Sequence, residues 1–188
     1  VIKVVEDNGL QFSMLCDEQV KAGELKPYDA TTGKGYKVLI MPRVIALSNK
    51  EARAIRSYVK NGGTVIAAGR PGLFDEHGKR LPEGRLDDVF GKAAHKDIVL
   101  VRGAAGNENM RLEMINYHRW RLHKGKERRI KEKIGKVLLN ALGDARRAMT
   151  VVDKDDKPVT GVEVTTWKNG SARIVAVHRN PQMRISEL

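Results

Sequence analysis

The sequence predicts an α/β fold, a parallel sheet with flanking helices that is followed by a small C-terminal antiparallel β segment. Two patterns carry this prediction. Between residues 36 and 68 a strand, a helix and a second strand follow one another with short connections, an order typical of a right-handed βαβ unit. Near the C-terminus, Asn169-Gly170 separates two β-rich runs, 162–167 and 172–177, which indicates a hairpin.

The N-terminal residues have the pattern of a helix end followed by a strand. Three valines among the first five residues share one helical side, and Gly9 supplies a left-handed stop. We expect a strand at Leu10–Leu15, and Cys16 in the same apolar run as a small buried side chain rather than a nucleophile. A single cysteine excludes a disulfide framework within the chain.

The βαβ unit is the firmest structural prediction. Tyr36–Pro42 is an almost continuous apolar run ended by proline, as in a strand covered on both faces, and we expect it at the centre of the sheet. Ser48 and Glu51 have the spacing of a capping box, so a helix should begin there. Asn61-Gly62-Gly63 ends this helix before the strand Thr64–Ala68. Its apolar positions at helical spacing are Ala52, Ile55 and Val59.

A long loop should leave the carboxyl end of the second strand. Residues Gly69–Gly84 are rich in glycine, proline and charge, and a short helix is expected at Leu86–Phe90. Asp97–Val101 predicts another strand. From Asn107 to Leu142 the apolar spacing becomes helical, and Gly125 is expected to separate two helices.

Four segments of this unit and its loop occur in an order that resembles one family. They are YKVLIMP from Tyr36, LSNKEA from Leu47, YVKNGGTV from Tyr58 and GLFDEHG from Gly72. Together they resemble the trimerisation domain of family-42 β-galactosidases and related glycoside hydrolases. The resemblance implies a glutamine-amidotransferase-like, flavodoxin-like fold that follows a catalytic (β/α)8 barrel and precedes a small β-sandwich. It also implies a homo-oligomer, a trimer in that family, with a role in carbohydrate metabolism.

The resemblance also suggests how the chain is organised. We expect an amidotransferase-like α/β domain at 1–103, a basic helical segment at 104–148 and the hairpin that starts a β-sandwich at 149–188. The chain lacks an initiator methionine and opens within an apolar pattern, so we interpret it as a fragment whose barrel belongs to the same polypeptide. No apolar run approaches the roughly 20 residues of a membrane span, so we expect no membrane-spanning role. Because no secretory signal pattern is visible and a disulfide framework is excluded, we expect a cytoplasmic protein.

The residue types at the expected nucleophile position argue against amidotransferase chemistry. True amidotransferases carry a cysteine on the sharp turn after the strand that follows a Tyr-Val-x-x-Gly-Gly segment. The spacing here places Gly69 there, and glycine has no side chain that could attack a substrate. The two carboxylates used for glycoside hydrolysis lie on the barrel in the resembled family. We therefore expect no catalytic residue and no cofactor in this chain.

The loop after the second strand is the candidate contact site. Arg70, Phe74, Asp75 and His77 should lie at the carboxyl end of the sheet, where open α/β folds bind partners. Because apolar residues stand between polar ones in this loop, we predict that Gly69–Gly78 is an interface loop.

A second interpretation of the same loop is chemical. Asp75, Glu76 and His77 place two carboxylates beside an imidazole, a set that could perform acid–base work or bind a metal. We favour solvated loop charges over either role, and we expect no metal site.

The positive charge is concentrated in one stretch. The chain carries net +12, and His118–Lys136 holds nine Lys and Arg against two Glu, a net of +7. With Tyr117 and Trp120, residues 117–136 could form a nucleic-acid or polyanion surface, since cations follow phosphates and aromatic rings stack on bases. We favour a solvated helical face or contact with acidic patches on the barrel. The candidate polyanion contacts are Arg119, Arg121, Lys124, Lys126, Arg128 and Arg129.

Overall fold

A computed structural model defines the fold over residues 5, 10–92, 97–102, 106–111, 135–141, 151–157, 159 and 162–179. The chain forms two compact units. One unit consists of residues 15–130, and the other consists of residues 1–14 together with 131–188.

The predicted strand at Leu10–Leu15 is wrong. Residues 10–16 have no regular structure, and Cys16 is the exposed N-cap of helix α1 (Asp17–Lys21). The Gln19 side chain accepts a hydrogen bond from the Cys16 amide at 3.1 Å. This local capping starts a helix where the apolar run ends. Cys16 is therefore not the buried residue that the sequence suggested.

The βαβ unit is confirmed. Strand β1 (Val38–Pro42), helix α2 (Asn49–Lys60) and strand β2 (Thr64–Ala68) follow in order, and β1 pairs with β2 in parallel. The capping box closes as predicted, because Ser48 Oγ accepts from the Glu51 amide at 3.2 Å and Glu51 Oε2 accepts from the Ser48 amide at 2.8 Å. The start of α2 is thus satisfied by its own side chains.

The next two strands make the sheet mixed rather than wholly parallel. Strand β3 (Asp97–Arg102) pairs antiparallel with β2, and β4 (Gly106–Arg111) pairs antiparallel with β3. A parallel partner would need a crossover that returns the chain to the other end of the sheet. Here the chain stays at the carboxyl end of β2, forms only the four-residue helix α3 (Asp87–Phe90), and enters β3 in the opposite direction.

Two further predictions fail for related reasons. Among the described strands the order is β1-β2-β3-β4, so β1 lies at an edge and not at the centre. Residues 107–111, predicted as helix, belong to β4, because pairing with β3 overrides a weak helical spacing. The predicted helix break at Gly125 lies outside the described residues, whereas residues 135–141 are helical.

The core of the first unit lies between the sheet and the helices. Tyr58 of α2 is buried and its hydroxyl donates to the Tyr36 carbonyl at 2.9 Å, so burial of this ring leaves its polar atom satisfied. Burial raises the pKa of Tyr58 to about 12. The buried cluster consists of Leu25, Met41, Leu47, Ala52, Ile55, Tyr58, Val65, Ala67, Leu86, Phe90, Val99 and Val101.

The second unit contains the predicted C-terminal hairpin. Strands β5 (Val162–Asn169) and β6 (Ala172–Arg179) pair antiparallel, which confirms a small antiparallel β segment. Asn169 pairs with Ala172, so the turn is Gly170-Ser171, one residue later than the Asn-Gly pair suggested. Gly170 has a positive φ of 61°, as two-residue hairpin turns require at this position. None of the helices in the described part of the chain has the length and apolar character that crossing a membrane requires.

Candidate interface loop

The candidate loop begins at Gly69, the residue expected from the sequence at a nucleophile position. Gly69 follows β2 directly, is buried, and has a positive φ of 79°. This backbone conformation is strained for residues with a side chain but not for glycine. The sharp turn after the strand is therefore present, and the residue in it supplies no reactive atom.

Backbone hydrogen bonds hold one side of the loop against the segment that follows β1. The Phe74 amide donates to the Ile45 carbonyl at 2.9 Å, and the Phe74 carbonyl accepts from the Leu47 amide at 3.1 Å. The Gly72 amide also donates to the Val44 carbonyl at 3.1 Å. Residues 72–74 are thus fixed beside the carboxyl end of β1 although they belong to no named strand.

The other side of the loop is bonded to its own returning half. The Leu81 amide donates to the Leu73 carbonyl at 2.9 Å, and the Arg85 amide donates to the Gly72 carbonyl at 2.8 Å. The loop therefore has backbone partners on two sides.

Arg70 is engaged in an ion pair rather than directed at a ligand. Its Nε donates to Asp87 Oδ1 at 2.8 Å and its Nη2 donates to Asp87 Oδ2, a two-point contact. The Arg70 and Asp87 side chains are only 22% and 13% exposed. The hydrogen bond from Arg70 holds the pKa of Asp87 below its usual range. Arg70 thus joins the start of the loop to α3.

A second ion pair links helix α2 to the residues after the loop. Arg56 Nε donates to Asp88 Oδ2 at 2.7 Å, and its Nη2 donates to Asp88 Oδ1 at 2.9 Å and to the Arg85 carbonyl. The hydrogen bond from Arg56 lowers the pKa of Asp88. Arg85 in turn donates to Asn49 and, at 3.3 Å, to Glu76. A groove of about 580 Å³ is lined in part by Arg56, Arg85, Asp87 and Asp88, each of which has an ion-pair partner.

Asp75 shapes a turn within the loop. Its Oδ1 accepts from the His77 amide at 3.0 Å and from the Lys79 amide at 2.8 Å, and the Lys79 bond is the main cause of its lowered pKa. Among the described residues, no three His, Cys, Asp or Glu side chains gather as a metal site. The carboxylate of Asp75 therefore accepts hydrogen bonds from the backbone of its own turn.

Apolar and aromatic side chains in and beside the loop remain at least partly exposed. Phe74 is half-buried, His77 is exposed, and Ile45, whose carbonyl accepts from the Phe74 amide, is 51% exposed. A rigid backbone that displays isoleucine and phenylalanine beside paired charges can bind another protein surface. The six predicted polyanion contacts lie outside the described residues, so the polyanion interpretation stays a prediction.

Sequence reasoning missed the contacts that fix this loop. Asp87 and Gly84 were not singled out, although Asp87 opens a short predicted helix, where acidic residues are common. Arg70 and Asp87 are 17 positions apart, and no periodic pattern connects them. Oppositely charged residues at such a separation are frequent in any sequence, so the separation alone does not predict that two of them form an ion pair.

These features define a mixed α/β domain: a small mixed sheet with a loop that begins at a buried glycine at the carboxyl end of β2. A family described as the beta-galactosidase trimerisation domain matches residues 27–186. The chain belongs to this family, as the sequence resemblance predicted.

Two solved structures are similar to the chain in fold. They are Gan42B, a GH42 beta-galactosidase from G. stearothermophilus, and a catalytic mutant of the same enzyme. Each has a TM-score of 0.58 and 14% sequence identity, over 93% of this chain and 29% of that chain. The chain therefore spans less than a third of the length of these relatives. No curated protein sequence matches it.

Proposed function

We propose that this chain is the non-catalytic, oligomerising part of a β-galactosidase-like glycoside hydrolase, and that its loop Gly69–Gly78 contacts a second copy of the chain. The observation that carries the proposal is the match of residues 27–186 to a trimerisation domain. The catalytic barrel then belongs to another part of the same polypeptide, and the assembly is a trimer.

The loop supports this assignment through its position and rigidity. It lies at the carboxyl end of β2, where open α/β sheets bind partners. Its backbone is bonded on two sides, so little conformational entropy is lost when a second subunit binds it. Phe74 and the neighbouring Ile45 supply apolar area, and charged residues surround them as in the polar rim of an interface.

Three finer points rest on the resemblance and extend this proposal. The βαβ unit of β1, α2 and β2 is the part that fits a flavodoxin-like, amidotransferase-like layout. The second point is the division of the chain into segments 1–103, 104–148 and 149–188. The third is a cytoplasmic location of the protein.

The proposal is tested by the mass of the full-length protein in solution. Phe74→Asp would place a charge in the contact, so we expect the trimer to dissociate in sedimentation velocity. Ile45→Asp changes a half-exposed side chain and is expected to fold normally while it also weakens assembly. Phe74→Leu keeps an apolar group, and Tyr28→Asp changes another exposed aromatic residue, so both should remain trimeric. Unchanged mass in both Phe74→Asp and Ile45→Asp would contradict the proposal.

A further inference from the structure

Asp87 contacts both ends of the long loop Gly69–Gly84, which contains the interface loop Gly69–Gly78. Its carboxylate binds Arg70, the second residue after β2, and Oδ2 also accepts from the Gly84 amide at 2.8 Å. One side chain therefore joins the start and the end of the connection between residues 70 and 84. We call Arg70, Gly84 and Asp87 the base clamp.

The glycine in the base clamp is required for space. A Cβ atom on Gly84 would lie 2.5 Å from Asp87 Oδ1 and 3.3 Å from Arg70 Nε. Gly84 does not have a positive φ, so conformational freedom does not explain it. A side chain at this position would displace the carboxylate from the guanidinium. The ion pair with Arg70, the hydrogen bond from the Gly84 amide and the absence of a side chain on Gly84 thus all support the same arrangement.

We infer that the base clamp positions the loop for subunit contact, so that Arg70, Gly84 and Asp87 are positioning residues of the interface. The inference rests on the proposed function, because it assumes that Leu73-Phe74 touches a second copy. With both ends fixed by Asp87, residues 72–74 keep their backbone bonds to residues 44–47 and 81–85. Without the clamp the loop ends separate, and Phe74 no longer presents a single conformation to the partner.

The neighbouring Asp88 provides a matched control. It is also paired to an arginine, Arg56, but its side chain is 57% exposed and its carboxylate makes no bond to residues 70–84. Asp88→Asn makes the same chemical change as Asp87→Asn one position later. Exposed ion pairs contribute little, so Asp88→Asn should leave the loop intact.

The experiment uses the full-length protein and two measurements. Hydrogen exchange reports on the loop through the Phe74 and Leu81 amides, with those of α2 and β2 as internal references. Sedimentation over a dilution series reports on assembly. For Asp87→Asn and Gly84→Ala we expect faster exchange at the two loop amides, unchanged exchange in α2 and β2, and a dissociation constant raised at least about tenfold. Asp88→Asn should resemble the wild type in both.

Gly84→Ala changes no charge, so it separates loss of the clamp from a change in net charge. Protected loop amides in Asp87→Asn and Gly84→Ala would overturn the clamp. Exposed loop amides with unchanged assembly, in a protein that Phe74→Asp does dissociate, would overturn the positioning role and leave the proposed function intact. If Phe74→Asp and Ile45→Asp also fail to dissociate the protein, the proposed interface itself is wrong, and the positioning role is rejected with it.

Discussion

The loop after β2 and the C-terminal hairpin are fixed by opposite means. The loop has almost no regular secondary structure, yet the base clamp and backbone bonds to two other segments hold it. The hairpin is a regular antiparallel ladder, yet Trp167, Ile174 and Val177 are exposed. A segment can therefore have regular secondary structure without burying its apolar side chains, and it can be held by tertiary contacts without regular secondary structure. The irregular loop is specified by long-range polar contacts and the hairpin by local sequence.

The largest expected effect breaks the loop side of this comparison. Asp87→Asn leaves Arg70, whose side chain is 22% exposed, without its anionic partner, so we expect the free energy of unfolding to fall by about 2 kcal/mol. Asp88→Asn removes a more exposed pair and should cost only about 0.5 kcal/mol. Urea denaturation of the two variants measures both values. Equal losses would mean that burial does not distinguish the two pairs.

Acid should weaken the same contacts without substitution. The pKa values of Asp87 and Asp88 are lowered in the folded protein by hydrogen bonds from Arg70 and Arg56. Their stabilising contribution is thus complete above the ordinary aspartate pKa and is lost as pH falls through the lowered folded values. We expect the stability difference between wild type and Asp87→Asn to shrink from about pH 5 to about pH 3. A difference that is constant over this range would contradict the ion-pair explanation.

The hairpin should be most sensitive at its turn. Gly170 has a φ of 61°, so Gly170→Ala forces an alanine into the left-handed region and should cost about 1 kcal/mol. Ser171→Ala changes the other turn residue, which has no positive φ, and should cost less. Thermal unfolding of the two variants tests this order. A larger loss for Ser171→Ala would show that the turn is held by the serine and not by backbone conformation.

The same five-residue turn occurs in the loop and shortly before the hairpin, so two opposite substitutions can be compared. In Asp75–Lys79 and in Asp153–Lys157 the first aspartate accepts from the amides two and four positions later. The fourth residue has a positive φ in each, 80° for Gly78 and 59° for Asp156. Asp156→Gly should therefore stabilise the protein by about 0.5 kcal/mol, and Gly78→Asp should destabilise it by a similar amount. Equilibrium unfolding would contradict this if both exchanges shifted stability in the same direction.

The sequence predicted the elements whose signals are local. Ser48 and Glu51 marked the start of α2, glycines marked its end, and β2 was predicted with its observed bounds. The direction of β3 could not be predicted, because it depends on the path of the loop that follows β2. The contacts of that loop join residues 17 positions apart. Leu10–Leu15 has the apolar content of a strand but finds no strand partner, and only tertiary pairing reveals that 107–111 is one.

The candidate site divides in the same way. The order of strand, turn and loop, with Gly69 directly after β2, is readable in the sequence. The bonds that its residues make within the chain are not readable there, since Arg70 binds Asp87 and Asp75 accepts from the backbone of its own turn. That Arg70 and Asp75 contact a second subunit stays a prediction. Residue types alone do not show which charges are already paired.

The most direct test of the central claim is the solvent exposure of Phe74 in the assembled full-length protein, measured in its cryo-electron microscopy structure. The account predicts a trimer in which Phe74 and Ile45 are buried against a second copy of this chain and Asp87 still binds Arg70 and Gly84. An assembly in which the loop Gly69–Gly78 faces solvent in every subunit would contradict it.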